Sequence, residues 1–258
     1  MKTPLKLPAR EFKGLATVKE LFPVGSYIHS FLMYNGDIEV PLSADGRYVI
    51  AHTNKYTIYE FWTCLSRNAE QVQRVATHFD NIEDHNIFHL LQETLPNYPD
   101  PFLRAGIFFL LNKYSKSGYV SQGEFNRDSY NPLAMANLRR VSFDNLMVTY
   151  DKGEDIVENI KNISVRCDYV FFPIGHFSLG YLKNKENDSN SLAYDQAFVD
   201  TRDLERFLHE TEKKVALLYY YTPSVLRFYK DFKFYFIDKW GRSTPDKNKA
   251  VEVIVANF

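Results

Sequence analysis

The stretch 168–177, DYVFFPIGHF, reads as a buried strand running out into a loop, and it carries a proline where such a strand end could hold a catalytic carboxylate. Phe172 stands at that point, followed by Pro173, Ile174 and Gly175, and none of them donates or accepts a proton through its side chain. Two histidines, His85 and His89, sit at i and i+4 in HFDNIEDHNIFH, the spacing of a helical metal pair. A zinc protease needs Glu directly after the first His, and Asn86 is there instead, so no metal is expected and two histidines on a partly buried helix face are. Neither GxGxxG nor GxxxxGK occurs for phosphate binding, and no GxSxG provides a serine nucleophile. Cys64 and Cys167 are the only cysteines, and their separation excludes a CxxC redox or zinc motif.

The elements that would position chemistry follow from periodicity. SYIHSFL and RYVIAHT are short β-rich runs, joined by a loop-rich connection, MYNGDIEVPLSADG. In NKYTIYEFWTCL the residues Ile58, Phe61, Trp62 and Leu65 fall at helical spacing, with Asn54 placed to cap. From Asn68 the pattern is helical to Leu95, and PDPFLRAGIFFLLNKYS opens another apolar helix on prolines. SKSGYVSQGEF reads as a glycine-punctuated loop or hairpin, SYNPLAM as a turn and FDNLMVTY as a strand. Alternation then resumes with VRCDYVFF, DTRDLERFLHETEK, KVALLYYY and PSVLRFYKDF, and the chain closes on KFYFIDKW and AVEVIVANF, predicted as an antiparallel edge hairpin. KNKENDSNS, 183–191, is a solvated loop.

Strands alternating with helices call for an α/β fold with a mostly parallel, Rossmann-like sheet and an antiparallel C-terminal hairpin. The sheet and its helices are assigned to 1–65 and 141–258, interrupted by a helical insertion at 66–140. With 45% apolar and 24% charged residues over 258 residues, one well-cored domain is expected. The net charge of −1 confines any nucleic-acid surface to a local patch, for which Lys113, Lys116 and the stretch KWGRSTPDKNK are candidates. The apolar runs are too short to span a membrane and MKTPLKLPAR has no apolar signal core, so a cytoplasmic protein without a membrane partner is expected.

As a string, DPFLRAGIFFLLNKYSKSGYVSQGEFN is similar to the adenine-N6 DNA methyltransferases of the GATC-modifying type, found in bacteria and tailed phages. That family carries a helix ending in Leu-Asn-Arg, an Asn-Gly turn and a GEFN or GxFN segment in this order. TVKELFP with YIHSF and RYVIAHTN resembles the family's cofactor-binding half, and DYVFFPIGHF falls where it has Asp-Pro-Pro-Tyr. TPDKNKAVEVIVANF resembles its closing segment, so the resemblance spans nearly the whole chain.

The resemblance implies a methyltransferase sheet whose working residues are overwritten. Where the family grips S-adenosylmethionine with an acid ending the first strand, a Gly-rich loop and an acid ending the second strand, this chain has His29, then Leu32, Met33 and Tyr34, then His52. Asp37 or Asp45 could stand in for one acid if the loop took another path. Where the family holds a flipped adenine with Asp-Pro-Pro-Tyr, Phe172 offers no acceptor to the amine and Gly175 nothing to stack. In the DNA-reading hairpin Val120, Ser121 and Gln122 replace the guanine-reading arginine, leaving Lys113, Lys116, Tyr119, Gln122 and Arg127 as DNA-contact candidates. A pseudoenzyme without cofactor is therefore expected, encoded by a phage or mobile element and binding DNA or a protein partner. The alternative is an active S-adenosylmethionine-dependent methyltransferase on displaced motifs.

Overall fold

The computed structural model describes residues 3–6, 12–151, 156–161, 163, 165–177 and 200–258. The polar stretch 183–191 lies outside the described residues. The seven predicted strands form as β1 Tyr27–Ser30, β2 Tyr48–Thr53, β3 Leu146–Tyr150, β4 Tyr169–Gly175, β5 Lys214–Tyr220, β6 Lys233–Asp238 and β8 Ala250–Ala256, and a short β7, Ser243–Thr244, adds to them from the turn before β8. They make one eight-stranded sheet of order β3-β2-β1-β4-β5-β8-β6-β7. The first five strands run parallel, and β8 is antiparallel to both β5 and β6. This is a Rossmann-like sheet, with the strand order reversing between β1 and β4.

The closing strands pair antiparallel as predicted, β6 against β8, but not as an edge hairpin. β8 is inserted between β5 and β6, while β7 takes the edge. Glu252–Ala256 are all buried, because a strand covered on both faces needs continuous apolar sequence rather than alternation. Where a loop was expected after β1, a short helix α2 spans Glu39–Ala44. Pro41 sits in its first turn, where the N–H groups have no intrahelical partner to lose.

Before β1 comes helix α1, Leu15–Leu21, and after β2 the helix α3, Tyr56–His78. Asn54 does not cap α3; Lys55 occupies the cap, and the Asn54 Oδ1 is buried without a partner. α3 breaks at Asn68 (φ −159°, ψ 84°), whose Oδ1 accepts from Gln71 N at 3.0 Å and restarts the helix. The insertion continues with α4 His85–Thr94, α5 Pro101–Tyr114 and α6 Leu133–Leu138. α5 packs along α3, and the Arg104 guanidinium forks onto the Glu60 carboxylate between them. Phe61 and Trp62 of α3 join Phe108, Phe109 and Leu111 of α5 to Ile28, Val49 and Phe171 of the sheet in one buried cluster, so the insertion shares the core. The opposite face is covered by α7 Ile156–Lys161, α8 Thr201–Glu210 and α9 Pro223–Phe228, over Val170, Phe172, Leu217, Tyr219 and Val253. No helix among the described residues is long and apolar enough to cross a membrane.

Candidate functional site

In an open α/β sheet the ligand crevice lies beyond the carboxyl ends of the strands at the order reversal, here β1 and β4. After β1 the chain turns sharply through Leu32, the only non-glycine residue with positive φ (65°) among the described residues. A leucine there costs about 1–2 kcal/mol relative to ordinary backbone. The turn is held on both sides, by Phe31 N donating to Phe171 O and by Met33 N donating to His52 O, each at 2.9 Å. Met33 is buried, and Tyr34 is tied down twice: its carbonyl accepts from Trp62 Nε1 at 2.8 Å and its hydroxyl donates to Gly118 O at 2.9 Å. The turn is thus held by backbone hydrogen bonds, with Met33 packed inward.

Behind this turn, rings fill the strand ends. Phe172 of β4 is fully buried and stacks on Phe31 at 5.2 Å, and Phe31 stacks on His52 of β2 at 4.3 Å and 10°. His52 continues the series with polar contacts. Its Nε2 lies 2.9 Å from His29 Nδ1, its Nδ1 lies 3.0 Å from both Asp151 Oδ1 and Thr149 Oγ1, and His29 Nε2 lies 3.2 Å from Arg166 O. Every ring nitrogen of the pair thus has a protein partner within hydrogen-bond distance. Burial, reinforced by the neighbouring His52, pushes the His29 pKa down to about 4. Both nitrogens of His52 are consequently spent inside the protein, and none is left for a ribose hydroxyl. Asp151, just past β3, was not singled out from sequence; an acid directly after a strand was the available signal.

Asp45 and Asp37, the two carboxylates expected as stand-in acids, lie at opposite ends of the strands. Asp45 sits at the amino end of β2, paired with Arg47 at 2.7 Å and Lys19 at 3.1 Å, and cannot reach the crevice. Asp37 stays in the loop after β1, its N–H donating to Asn35 Oδ1 at 3.3 Å. Glu39 is fully buried beneath the loop and accepts from Ser30 Oγ at 2.6 Å, and burial raises its pKa.

At the end of β4, Pro173 coincides with a bulge, as suits a residue with no N–H to give the ladder. Ile174 is half-buried. Gly175 has φ 78°, and a Cβ on it would stand 3.1 Å from the Tyr220 ring and 3.5 Å from Phe12. The space of the missing side chain is therefore taken by two rings, and His176 packs edge-on against Tyr220 at 4.8 Å. Sequence reasoning did not find Phe12 or Tyr220, which come from remote segments.

The hairpin of the insertion is closed by the Ser115–Phe125 bridge and by Lys116 N donating to Glu124 O at 2.8 Å. Its tip is folded down. Val120 is buried, and Gln92 Nε2 donates to Val120 O at 2.5 Å and Gly123 O at 2.9 Å. Of the DNA-contact candidates, Lys116, Gln122 and Arg127 are exposed, Tyr119 is half-buried against Tyr34, and Lys113 is buried at the end of α5. His85 and His89 face each other at 3.1 Å on α4, and no group of three metal ligands occurs among the described residues. Both cysteines are free, and burial raises the Cys64 thiol to about 11. A cleft of about 500 Å³, lined among others by Cys167, Asp168, Glu212 and Lys213, opens at the opposite, amino end of β4 and β5.

No family model matches the sequence, and no curated protein matches it. Among solved structures the chain is similar to a protein assigned as a methyltransferase and complexed with SAH, at 10% identity and a TM-score of 0.41, over 95% of this chain and 49% of that one. It is also similar to the type I restriction-modification methyltransferase subunit of Streptococcus thermophilus, at 7% identity and a TM-score of 0.34, over 99% of this chain and 45% of that one. The chain spans about half the length of each. Likenesses this distant identify no family.

Proposed function

We propose that the chain is a methyltransferase-like scaffold that transfers no methyl group and acts by binding DNA without modifying it. One observation carries this reading: the Phe172–Phe31–His52 stack, anchored on Asp151, occupies the carboxyl ends of β4, β1 and β2. Methyl transfer to an adenine amine needs an acceptor that orients the nitrogen lone pair, and a cofactor needs an acceptor for its ribose diol. Phe172 cannot accept a hydrogen bond, and His52 has committed both nitrogens.

DNA contact would fall to the exposed Lys116, Gln122 and Arg127 of the insertion, with phosphate pairing supplying most of the affinity. The test is incubation of the chain with tritiated S-adenosylmethionine and adenine-containing duplex, in parallel with a gel shift at rising salt. The reading expects unlabelled DNA and a shift that salt abolishes. Label on adenine would establish the alternative, an active S-adenosylmethionine-dependent adenine-N6 methyltransferase with divergent motifs. No shift at low salt would turn the search to a protein partner.

A further inference from the structure

The turn from β6 into β7 carries Trp240, which is 73% exposed. A lone exposed apolar side chain is ordinary on a protein surface. This one stands among cations: Lys239 Nζ lies 5.0 Å from the indole centroid, and Arg242, Lys247 and Lys249 are all exposed nearby in the chain. The two carboxylates of the same stretch are committed locally. Asp238 Oδ1 accepts from Trp240 N at 2.8 Å and Arg242 N at 3.0 Å, and Asp246 accepts from Asn248 N at 3.0 Å and faces Lys249 at 3.7 Å. Four cations against two carboxylates leave the stretch 238–249 with a formal charge of +2 on a chain whose net charge is −1.

The turn also lies on the crevice side of the molecule. Ile237 and Tyr220 are both registered against Glu252 of β8, so β6 ends level with β5, and Trp240 rises just beyond that edge. Residues 12–14 bridge the gap. Glu252, fully buried, accepts from Lys13 N and Gly14 N at 2.8 Å, which pins the segment across the sheet. Gly241 (φ 79°) lies so close to it that a Cβ would collide with Lys13 O. At the other end of the segment Phe12 packs on Tyr220 and over Gly175. The path from the Trp240 turn to the end of β4 is thus covered by three residues, roughly 10 Å of extended chain.

We propose that the Trp240 turn is a stacking platform for single-stranded nucleic acid, one base lying on the indole while phosphates meet Lys239, Arg242 and Lys247. The bound strand runs on over Phe12 towards His176. This rests on the reading of the chain as a nucleic-acid binder and adds a second wall, across the sheet from the hairpin. An indole needs the face of a base, which a duplex hides and a single strand offers. A membrane surface fits less well, since stable anchoring takes more than one apolar side chain with two carboxylates beside it.

Trp62 is fully buried, so a ligand on the turn is read by Trp240 emission alone. The full chain is titrated with a short oligothymidylate, following tryptophan fluorescence and, separately, the anisotropy of a labelled oligonucleotide. Quenching is expected, and W240F should lose it while remaining folded. W240A should weaken binding by about 5- to 150-fold, the 1–3 kcal/mol of one stacked base. K239Q with R242Q should flatten the dependence on salt. An affinity unchanged in W240A, a duplex bound as tightly as the single strand, or quenching by anionic phospholipid vesicles but not by oligothymidylate would overturn the proposal. Duplex binding that fails in K116Q with R127Q but survives in W240A would sink the platform and leave the broader DNA-binding reading standing.

Discussion

The carboxyl edge of this sheet is closed in two different ways. Over β4, β1 and β2 it is sealed by rings, with Phe172, Phe31 and His52 stacked in succession and His29 buried behind them. Over β5, β8 and β6 it is held by one buried carboxylate, Glu252, which receives the backbone N–H groups of Lys13 and Gly14 and leaves the aromatic and cationic turn above it in solvent. The first region is filled by groups that pack. The second uses its polar group for structure and leaves its aromatic and cationic groups exposed. Both closures satisfy packing and capping, which need only volume and hydrogen-bond count.

Phe172→Asp breaks the comparison hardest. It removes a buried ring, worth about 3–5 kcal/mol, and adds a carboxylate with no partner. Denaturant unfolding should show at least that loss; a loss under about 1 kcal/mol would mean that the crevice has room for an acid after all. Next in size is Glu252→Gln, which weakens the clamp on residues 12–14 by about 1–3 kcal/mol and should leave the ring stack untouched.

The pH dependence sharpens the first region. His29 has its pKa depressed from 6.5 to about 4, so the unfolded chain binds more protons between those values. Its contribution to stability is complete above pH 6.5 and is lost as pH falls towards 4. Thermal unfolding of His29→Asn should lack this component, and an acid limb unchanged in the variant would contradict the assignment. The smallest effect is expected at Leu32→Gly, where relief of a left-handed leucine offsets lost side-chain burial and stability should move by less than about 1 kcal/mol.

Much of the frame was legible in the sequence. Alternating apolar runs located β1, β2, β5 and the helices after β2 and before β5, because periodicity is a local property. The place of β8 was not, since strand order depends on pairing across the chain; the unbroken Val253–Ala256 run was the available clue to a central strand. α2 escaped because six residues containing Pro41 look like a loop unless the tolerance of a first turn is weighed. At the site, the absence of an acid at His29, His52 and Phe172 could be read directly. The His29–His52–Asp151 chain and the rings of Phe12 and Tyr220 around Gly175 could not, because they join residues far apart in sequence.

Isothermal titration of the full chain with S-adenosylmethionine tests the central claim most directly. A crevice whose strand ends are filled by Phe31, Phe172 and a fully committed His52 should give no binding heat up to millimolar cofactor. Saturable binding in the micromolar range would contradict it.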